Sequence, residues 1–367
     1  MTSRALVALA KVIDPELRLP ITELGMVGEI QEDSDSVKAV IKLTIVGCPA
    51  AQSIERDVKS ALSTEFKNVE VVMTTMSQEE RSELTKKLRG DRPPKFNPFV
   101  EKDNLTKVIF VSSGKGGVGK STLTVNLAVA LASQGQKVGL LDADIFGYSV
   151  PQLMGVNQAP TKVDHLMLPP ISHEVKVISI GFFVADNQPV AWRGPMLHRA
   201  VEQFLTDVFW GDLDFLLVDL PPGTGDVAIS LGQLLPKAQT LVVTTPQHTA
   251  AIVAERSGAI GLQTGQSVLG VIENMSYLPS KDGPIEIFGS GGGDAVAKRL
   301  SELSSTGVNL LGKIPLSQEL RESADNALPI VISNPDDPAA VEIADIAKQL
   351  ILTPRGLSGK SLKITPS

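Results

Sequence analysis

Gly114-Lys115-Gly116-Gly117-Val118-Gly119-Lys120-Ser121 follows the apolar run Val108-Ile109-Phe110-Val111 and opens into Thr122-Leu123-Thr124-Val125. The stretch has the form G-x-x-x-x-G-K-[ST] in the strand-then-helix context that gives the motif its meaning. Glycines let successive backbone N–H groups curl around phosphate oxygens without a Cβ in the way. The amino terminus of a helix beginning near Lys120 adds partial positive charge. Residues 114–121, with Thr122, therefore predict a nucleotide-phosphate cradle. In it Lys120 reaches the β- and γ-phosphates and Ser121 ligates magnesium. A glycine-rich turn without a ligand is the competing reading, and the complete motif in its full context weighs against it.

Outward from this loop, short apolar strands alternate with helices. The strands are expected at 108–111, 138–141, 175–180, 215–218, 241–243, 268–272 and 310–314. Near-continuous apolar strands imply that both faces of the sheet are covered, and intervening helices imply parallel order. The expected fold is α/β: a doubly wound, mostly parallel sheet carrying a P-loop NTPase domain, preceded by a small α+β domain. Ligands in such sheets sit at the carboxyl ends of the strands. Asp219 ends one strand and opens Asp219-Leu220-Pro221-Pro222-Gly223-Thr224-Gly225-Asp226, which reads as a magnesium-holding acid running into a switch loop. Asp142-Ala143-Asp144 ends another strand. One of these acids is suited to positioning the attacking water and the other to supporting magnesium, although two acids in a turn also serve as capping residues.

A composition change falls at Gly90-Asp91-Arg92-Pro93-Pro94 and Asn97-Pro98, which neither continue a helix nor enter a sheet. It divides the chain into a small domain (1–90), a linker (91–106), an ATPase domain (107–352) and a loose polar tail (353–367). In the small domain Val37, Ala39, Ile41, Leu43 and Ile45 alternate with polar residues, marking a half-buried strand with a hairpin partner at 26–31. Helices are expected at 50–62 and 78–89, a strand at 69–75, and an amphipathic helix rather than a signal peptide over the first residues.

The 367 residues carry a net charge of −7 and no long basic run, which argues against a general nucleic-acid binder. No apolar run reaches membrane-span length, so a cytoplasmic protein is expected. One cysteine, Cys48, excludes an intramolecular disulfide framework, and also a zinc or cubane site built from the cysteines of one chain. Cys48 precedes Pro49 and a predicted helix whose dipole would lower the thiol pKa. The alternative is a small buried residue at a helix start. His165, His173, His198 and His248 lack zinc-ligand spacing and read as ordinary surface or core residues. Ser290-Gly291-Gly292-Gly293 before a helix reads either as an anion-binding loop or as a flexible one.

Lys115 within the glycine loop resembles the signature of the deviant Walker A group, which includes MinD, ParA and the nitrogenase iron protein. Ser112-Ser113-Gly114-Lys115, Asp142–Gly147, Trp192-Arg193-Gly194-Pro195-Met196, Asp219–Asp226 and Glu273-Asn274-Met275-Ser276 together resemble the Mrp/ApbC family of ATP-dependent iron–sulfur cluster carriers. Asp14-Pro15-Glu16 and Gly47-Cys48-Pro49 resemble the iron–sulfur-assembly domain often fused to them. The resemblance implies a homodimer acting on iron–sulfur client proteins, with ATP and magnesium as cofactors. By position it makes Lys115 a lysine that contacts nucleotide across the dimer. Asp144 becomes the acid that orients water, so that Lys115, Lys120 and Asp144 form the catalytic set, and Asn274 lies where adenine is recognised. The Cys-x-x-Cys usual after the Asn-Met-Ser segment is missing from Tyr277–Ile285. Cys48 is left as the candidate cluster ligand or reactive thiol, and a metal-free, ATP-controlled scaffold is the alternative function. A MinD- or ParA-like positioning ATPase would need a membrane helix or a DNA-binding surface that the tail does not offer.

Overall fold

The computed structural model describes residues 3–90, 96–145, 147–184, 194–304 and 306–353. The expected tail beyond 353, residues 91–95 of the expected linker, and Trp192-Arg193 lie outside them. In chain order the elements are α1 (Arg4–Leu9), β1 (Val27–Glu32), β2 (Ser36–Leu43), α2 (Ala51–Ser63), β3 (Asn68–Thr75), α3 (Gln78–Arg89), β4 (Lys107–Ser113), α4 (Lys120–Ser133), β5 (Val138–Asp142), α5 (Val150–Leu153), β6 (Thr161–Val163), β7 (Leu166–Leu168), β8 (Ile171–Ser172), β9 (Val175–Ser179), α6 (Gly194–Thr206), β10 (Phe215–Asp219), α7 (Asp226–Leu234), β11 (Gln239–Thr244), α8 (His248–Gln263), β12 (Ser267–Glu273), α9 (Gly292–Leu303), β13 (Leu310–Lys313), α10 (Gln318–Asp325), α11 (Ile330–Ser333) and α12 (Pro338–Leu352).

Two compact units form, and they do not follow the chain linearly. The smaller contains residues up to Phe96 together with 159–170 and 207–209; the larger contains the rest. In the smaller unit β1 pairs antiparallel with β2 and β2 pairs parallel with β3, with α2 as the crossover. Val37, Ala39, Ile41 and Leu43 face inward on β2, and Ile54, Val58 and Leu62 line one face of α2 at i, i+4 spacing. A Ser77–Glu80 capping box starts α3, which carries acids in its first turn and bases in its last. The amphipathic helix expected at the amino end is short. It stops at Leu9, and the chain turns back so that Ile13 bridges Pro20. The β6–β7 hairpin, which periodicity had not indicated, completes this core with Val163, Leu166 and Leu168.

The larger unit is an eight-stranded sheet of order β13-β12-β11-β4-β10-β5-β9-β8, parallel except for the short antiparallel edge strand β8. Adjacent strand residues serve opposite faces. Leu241 and Val243 join a core with Leu123, Leu127 and Leu131 of α4 and Ile343, Ile346 and Leu350 of α12. Val242 joins Ala251 and Ala254 of α8 and Val296 and Leu300 of α9. This two-sided burial is why the strands read as unbroken apolar runs. The Lys107 ammonium accompanies the close of α12. It donates to the Leu350 carbonyl at 2.7 Å and also to that of Thr353, and lies 5.2 Å from the centre of the Phe215 ring. Residues 97–106, expected as linker, pack into this unit: Phe99 is buried edge-on to Trp210, and Asn97 donates to the Leu234 carbonyl.

Leu127 is fully buried between α4 and the sheet. Leu127→Ala should lower the unfolding free energy by about 2–5 kcal/mol, through lost burial and a residual cavity. Denaturant titration reads this directly, and a change under half a kcal/mol would contradict the placement.

Candidate functional site

The central strands end side by side. Asp219 on β10 is in register with Val111 on β4 and with Asp142 on β5. β4 runs past Ser113 into the glycine loop, and α4 begins at Lys120. The Asp219 carboxylate gathers what the loop delivers. Lys120 Nζ lies 2.8 Å from Asp219 Oδ1, Ser121 Oγ donates to Oδ2 at 2.5 Å, and Thr124 Oγ1 donates to Oδ1 at 2.9 Å. Ser121 and Asp219 thus bring two hard oxygens together, a donor set suited to magnesium.

The loop's shape depends on glycine at two close approaches. A Cβ on Gly114 would lie 2.3 Å from the Val253 carbonyl carbon in α8, and one on Gly119 would lie 2.3 Å from Asn274 Nδ2. Gly119 also has φ +79° in the left-handed region, as does Gly117. Gly116 and Gly117 are exposed, and a Cβ on either would meet nothing within 4 Å. That leaves the outer rim of the loop open to a phosphate.

Asn274 was expected at an adenine edge. Its side-chain amide donates to the Val118 carbonyl at 2.8 Å, so it also braces the loop from the end of β12. The adjoining Met275 has φ +58°, and Ser276 fastens the turn by bonding Glu273. Thr122 contributes its carbonyl as acceptor for Asn126. Lys115 Nζ is held by Gln247 Oε1 at 3.1 Å, just before α8 begins. Sequence reasoning missed Gln247. Its one signal is a polar side chain directly after the Thr244-Thr245-Pro246 strand end.

Asp142 is fully buried and accepts from Ser179 Oγ at 2.9 Å and from the Asp144 N–H at 3.1 Å. Burial, then the neighbouring charge of Asp219, pushes its carboxyl well above the usual range. Asp144 is nearly buried and accepts from the Gly147 N–H at 3.2 Å, closing the turn after β5. The anion-binding reading of Ser290–Gly293 does not hold. Glu273 Oε2 already takes the Gly293 N–H at 2.6 Å, and a Cβ on Gly292 would lie 2.6 Å from the carbonyls of Thr245 and Pro246. The glycines there serve close packing.

Cys48 lies in the smaller unit, away from this loop in the chain. Its thiol sits 3.9 Å from Glu16 Oε2, and Glu16 Oε1 accepts from Thr161 Oγ1 at 2.9 Å. Asp14 accepts the N–H groups of Glu16 and Leu17, which fixes the turn that presents Glu16. The expectation of an acidified thiol is reversed. Burial first, and then the charges of Glu16 and Asp14, push Cys48 up to about 11, outweighing the Ala50 N–H that favours the thiolate. Burial likewise raises both carboxyls.

A parallel sheet with this loop and this acid at its switch point defines a P-loop nucleotide-binding protein. The chain belongs to the NUBPL iron-transfer P-loop NTPase family, matched over residues 104–351. Residues 3–73 match a second family, described as iron–sulfur cluster assembly protein. An iron–sulfur cluster carrier protein of Mycobacterium leprae is 55% identical over 364 residues, spanning 98% of this chain and 95% of its own. One from Bacillus subtilis is 42% identical over 308 residues, spanning 83% and 85%. A solved nucleotide-binding protein of Archaeoglobus fulgidus, in complex with ADP, superposes with a TM-score of 0.56 at 34% identity. That match spans 67% of this chain and 96% of the solved one. Among the described residues no helix is long and apolar enough to cross a membrane.

Asp219→Ala would leave the buried Lys120 ammonium without its counter-charge. In nucleotide-free buffer the unfolding free energy should fall by about 3–5 kcal/mol, and an unchanged urea midpoint would contradict this. For Cys48 the sign follows from the raised pKa: at pH 8 only about one thiol in a thousand is ionised. Alkylation should therefore accelerate about tenfold per pH unit from pH 7.5 to 10. A plateau below pH 9 would reveal an ordinary thiol.

Proposed function

We propose that this protein is an ATP-hydrolysing carrier of iron–sulfur clusters, acting in the cytoplasm as a homodimer on apoprotein clients. The observation that carries the reading is the convergence of Lys120, Ser121 and Thr124 on Asp219 beneath an open glycine rim. It is supported by family membership and by two relatives named as cluster carriers, one matched over 98% of this chain and one over 83%.

Ser121 and Asp219 would hold the magnesium that accompanies ATP, which would supply positive charge at the phosphate oxygens. Lys120 then turns its ammonium from Asp219 to the β- and γ-phosphates. The glycine-loop N–H groups bind the phosphate oxygens, and Asp144 orients the attacking water. Phosphoryl transfer asks mainly for this positioning and charge stabilisation. Lys115 is held in reserve by Gln247 and turns to the nucleotide of the partner subunit on dimerisation. Hydrolysis releases the loops that follow Asp142 and Asp219.

The cluster is cargo. Each chain brings one thiol, so two chains bring fewer thiolates than a fully cysteine-ligated cluster needs. The remaining ligands come from the donor or client during transfer. A metal-free, ATP-driven scaffold is the second reading, favoured by the missing Cys-x-x-Cys in Tyr277–Ile285.

Anaerobic reconstitution with iron and sulfide, followed by visible spectra and iron content, separates the two readings. A chromophore present in wild type and absent from Cys48→Ser supports the carrier. A colourless wild type that still hydrolyses ATP supports the scaffold. Lys120→Ala should slow hydrolysis by about a hundredfold or more, the order expected when a preorganised charge on the phosphates is lost. Phosphate release unaffected by that change would refute the ATPase assignment.

A further inference from the structure

The three-stranded sheet of the smaller unit has two edges, and they are built differently. β1 is defended in the ways native edge strands usually are. Its register with β2 shifts between Val27 and Ile30, and it carries Glu29 and Glu32. Arg4 lies at its end, bonding Glu32 and the carbonyls of Asp33 and Ser34. β3 has none of these defences. It pairs with β2 over Asn68–Thr75 without a register shift, and it contains neither proline nor glycine. Its one charge, Glu70, is already neutralised by Lys38 of β2. Among the described residues no strand lies on its outer side.

The free main-chain groups of β3 follow from the pairing. The N–H of Asn68 donates to the Asp35 carbonyl and that of Met76 to the Leu43 carbonyl, so the even-numbered residues turn their main-chain groups toward β2. Alternation turns those of Val69, Val71, Met73 and Thr75 outward. A row of donors and acceptors at strand spacing is completed by an extended backbone. The side chains of Val69, Val71 and Met73 pack against the core, while Val72 stands on the opposite face and is 36% exposed.

We infer that β3 is a pairing edge for a second copy of this chain, the two β3 strands running antiparallel about a two-fold axis at Val72. Such an axis presents the same patch to itself. Placed at Val72, it gives every outward main-chain group a partner: Val69 with Thr75 and Val71 with Met73, each in both directions. On the other face Val72 meets its own copy and Glu70 meets Thr74, so no like charges stand opposite one another. Just past the ladder, the same register carries the exposed Lys67 toward Ser77 of the second copy, where the acidic first turn of α3 begins with Glu79. The edge is thus complementary to itself in apolar side chains and in charge, which selects a second copy over an unrelated extended segment. The pairing joins two three-stranded sheets into one. It needs no nucleotide and does not rest on the ATPase reading. An eight-residue edge buries little area, so the association is weak and concentration-dependent.

Sedimentation velocity of the nucleotide-free, full-length protein over a concentration series should show reversible dimers. Val72→Lys changes an exposed side chain, leaves the ladder with β2 in place, and sets two ammonium groups across the axis. It should weaken association at least about fivefold, as close like charges do, and Val72→Glu should do the same. An equimolar mixture of the two variants should associate again. In a Cys48→Ser background, Val72→Cys should form an intermolecular disulfide under mild oxidation with diamide. A non-hydrogen-bonded antiparallel pair sets its Cα atoms about 4.5 Å apart, within disulfide range. Glu70→Cys should not cross-link, because four residues of strand hold it about 13 Å from its own copy. A wild type that stays monomeric overturns the pairing and leaves the edge to an extended segment of another protein. Association that Val72→Lys leaves unchanged, or a mixture no more associated than its parts, also overturns it. So does Glu70→Cys cross-linking as fast as Val72→Cys. Phosphate release measured on the same wild-type samples reports the ATPase reading separately.

Discussion

The site is organised around one carboxylate. Asp219 is fully buried at the end of β10 and accepts from a lysine and two hydroxyls that all arrive on the first turn and a half of α4. An isolated carboxylate at such depth is costly, and it tolerates burial because it is paired and hydrogen-bonded. The same contacts fix where α4 starts, and with it the curvature of the glycine loop. Under the proposed function the lysine and hydroxyls that satisfy Asp219 are also the groups offered to a magnesium–nucleotide complex, so binding would exchange partners and leave the backbone as it is.

Glycine is required there for two separate reasons. Gly119 must adopt a left-handed conformation, and it must let Asn274 approach the Val118 carbonyl. Gly114 must admit the backbone of α8. The loop is thus locked by β12 and α8 from behind while its rim at Gly116 and Gly117 stays open. Gln247 adds a side-chain tether on Lys115 from the start of the same α8, so one helix both shapes the loop and holds the Lys115 ammonium.

The smaller unit inverts the usual logic of a reactive cysteine. A thiol next to a helix start is ordinarily acidified, yet here burial and two nearby carboxylates dominate, because Asp14 fixes the turn that aims Glu16 at Cys48. Such a thiol is quiet until its surroundings change. Those surroundings include Thr161, whose hydroxyl bonds Glu16.

Much of this was legible in the residues. The strands of the large sheet, the P-loop, Asp219 and the alternating strand β2 all follow from local pattern, since periodicity, glycine chemistry and motif spacing act over a few residues. Misreadings came where distant segments meet. Gly292 and Gly293 read as an anion-binding or a flexible loop because Glu273, which takes the Gly293 N–H, is twenty positions away. The β6–β7 hairpin was invisible because its strands are three residues long, too short to show a period, and its packing partners lie far away in the chain, before Phe96. Residues 97–106 looked like linker, since Pro98 and the charges that follow hide a single buried anchor, Phe99. The sequence alone determined that this is a doubly wound phosphate-binding fold carrying one thiol. Tertiary structure alone decided the state of that thiol and the bracing of Lys115 and Asn274, because burial and facing charge belong to neighbours that no local pattern brings together.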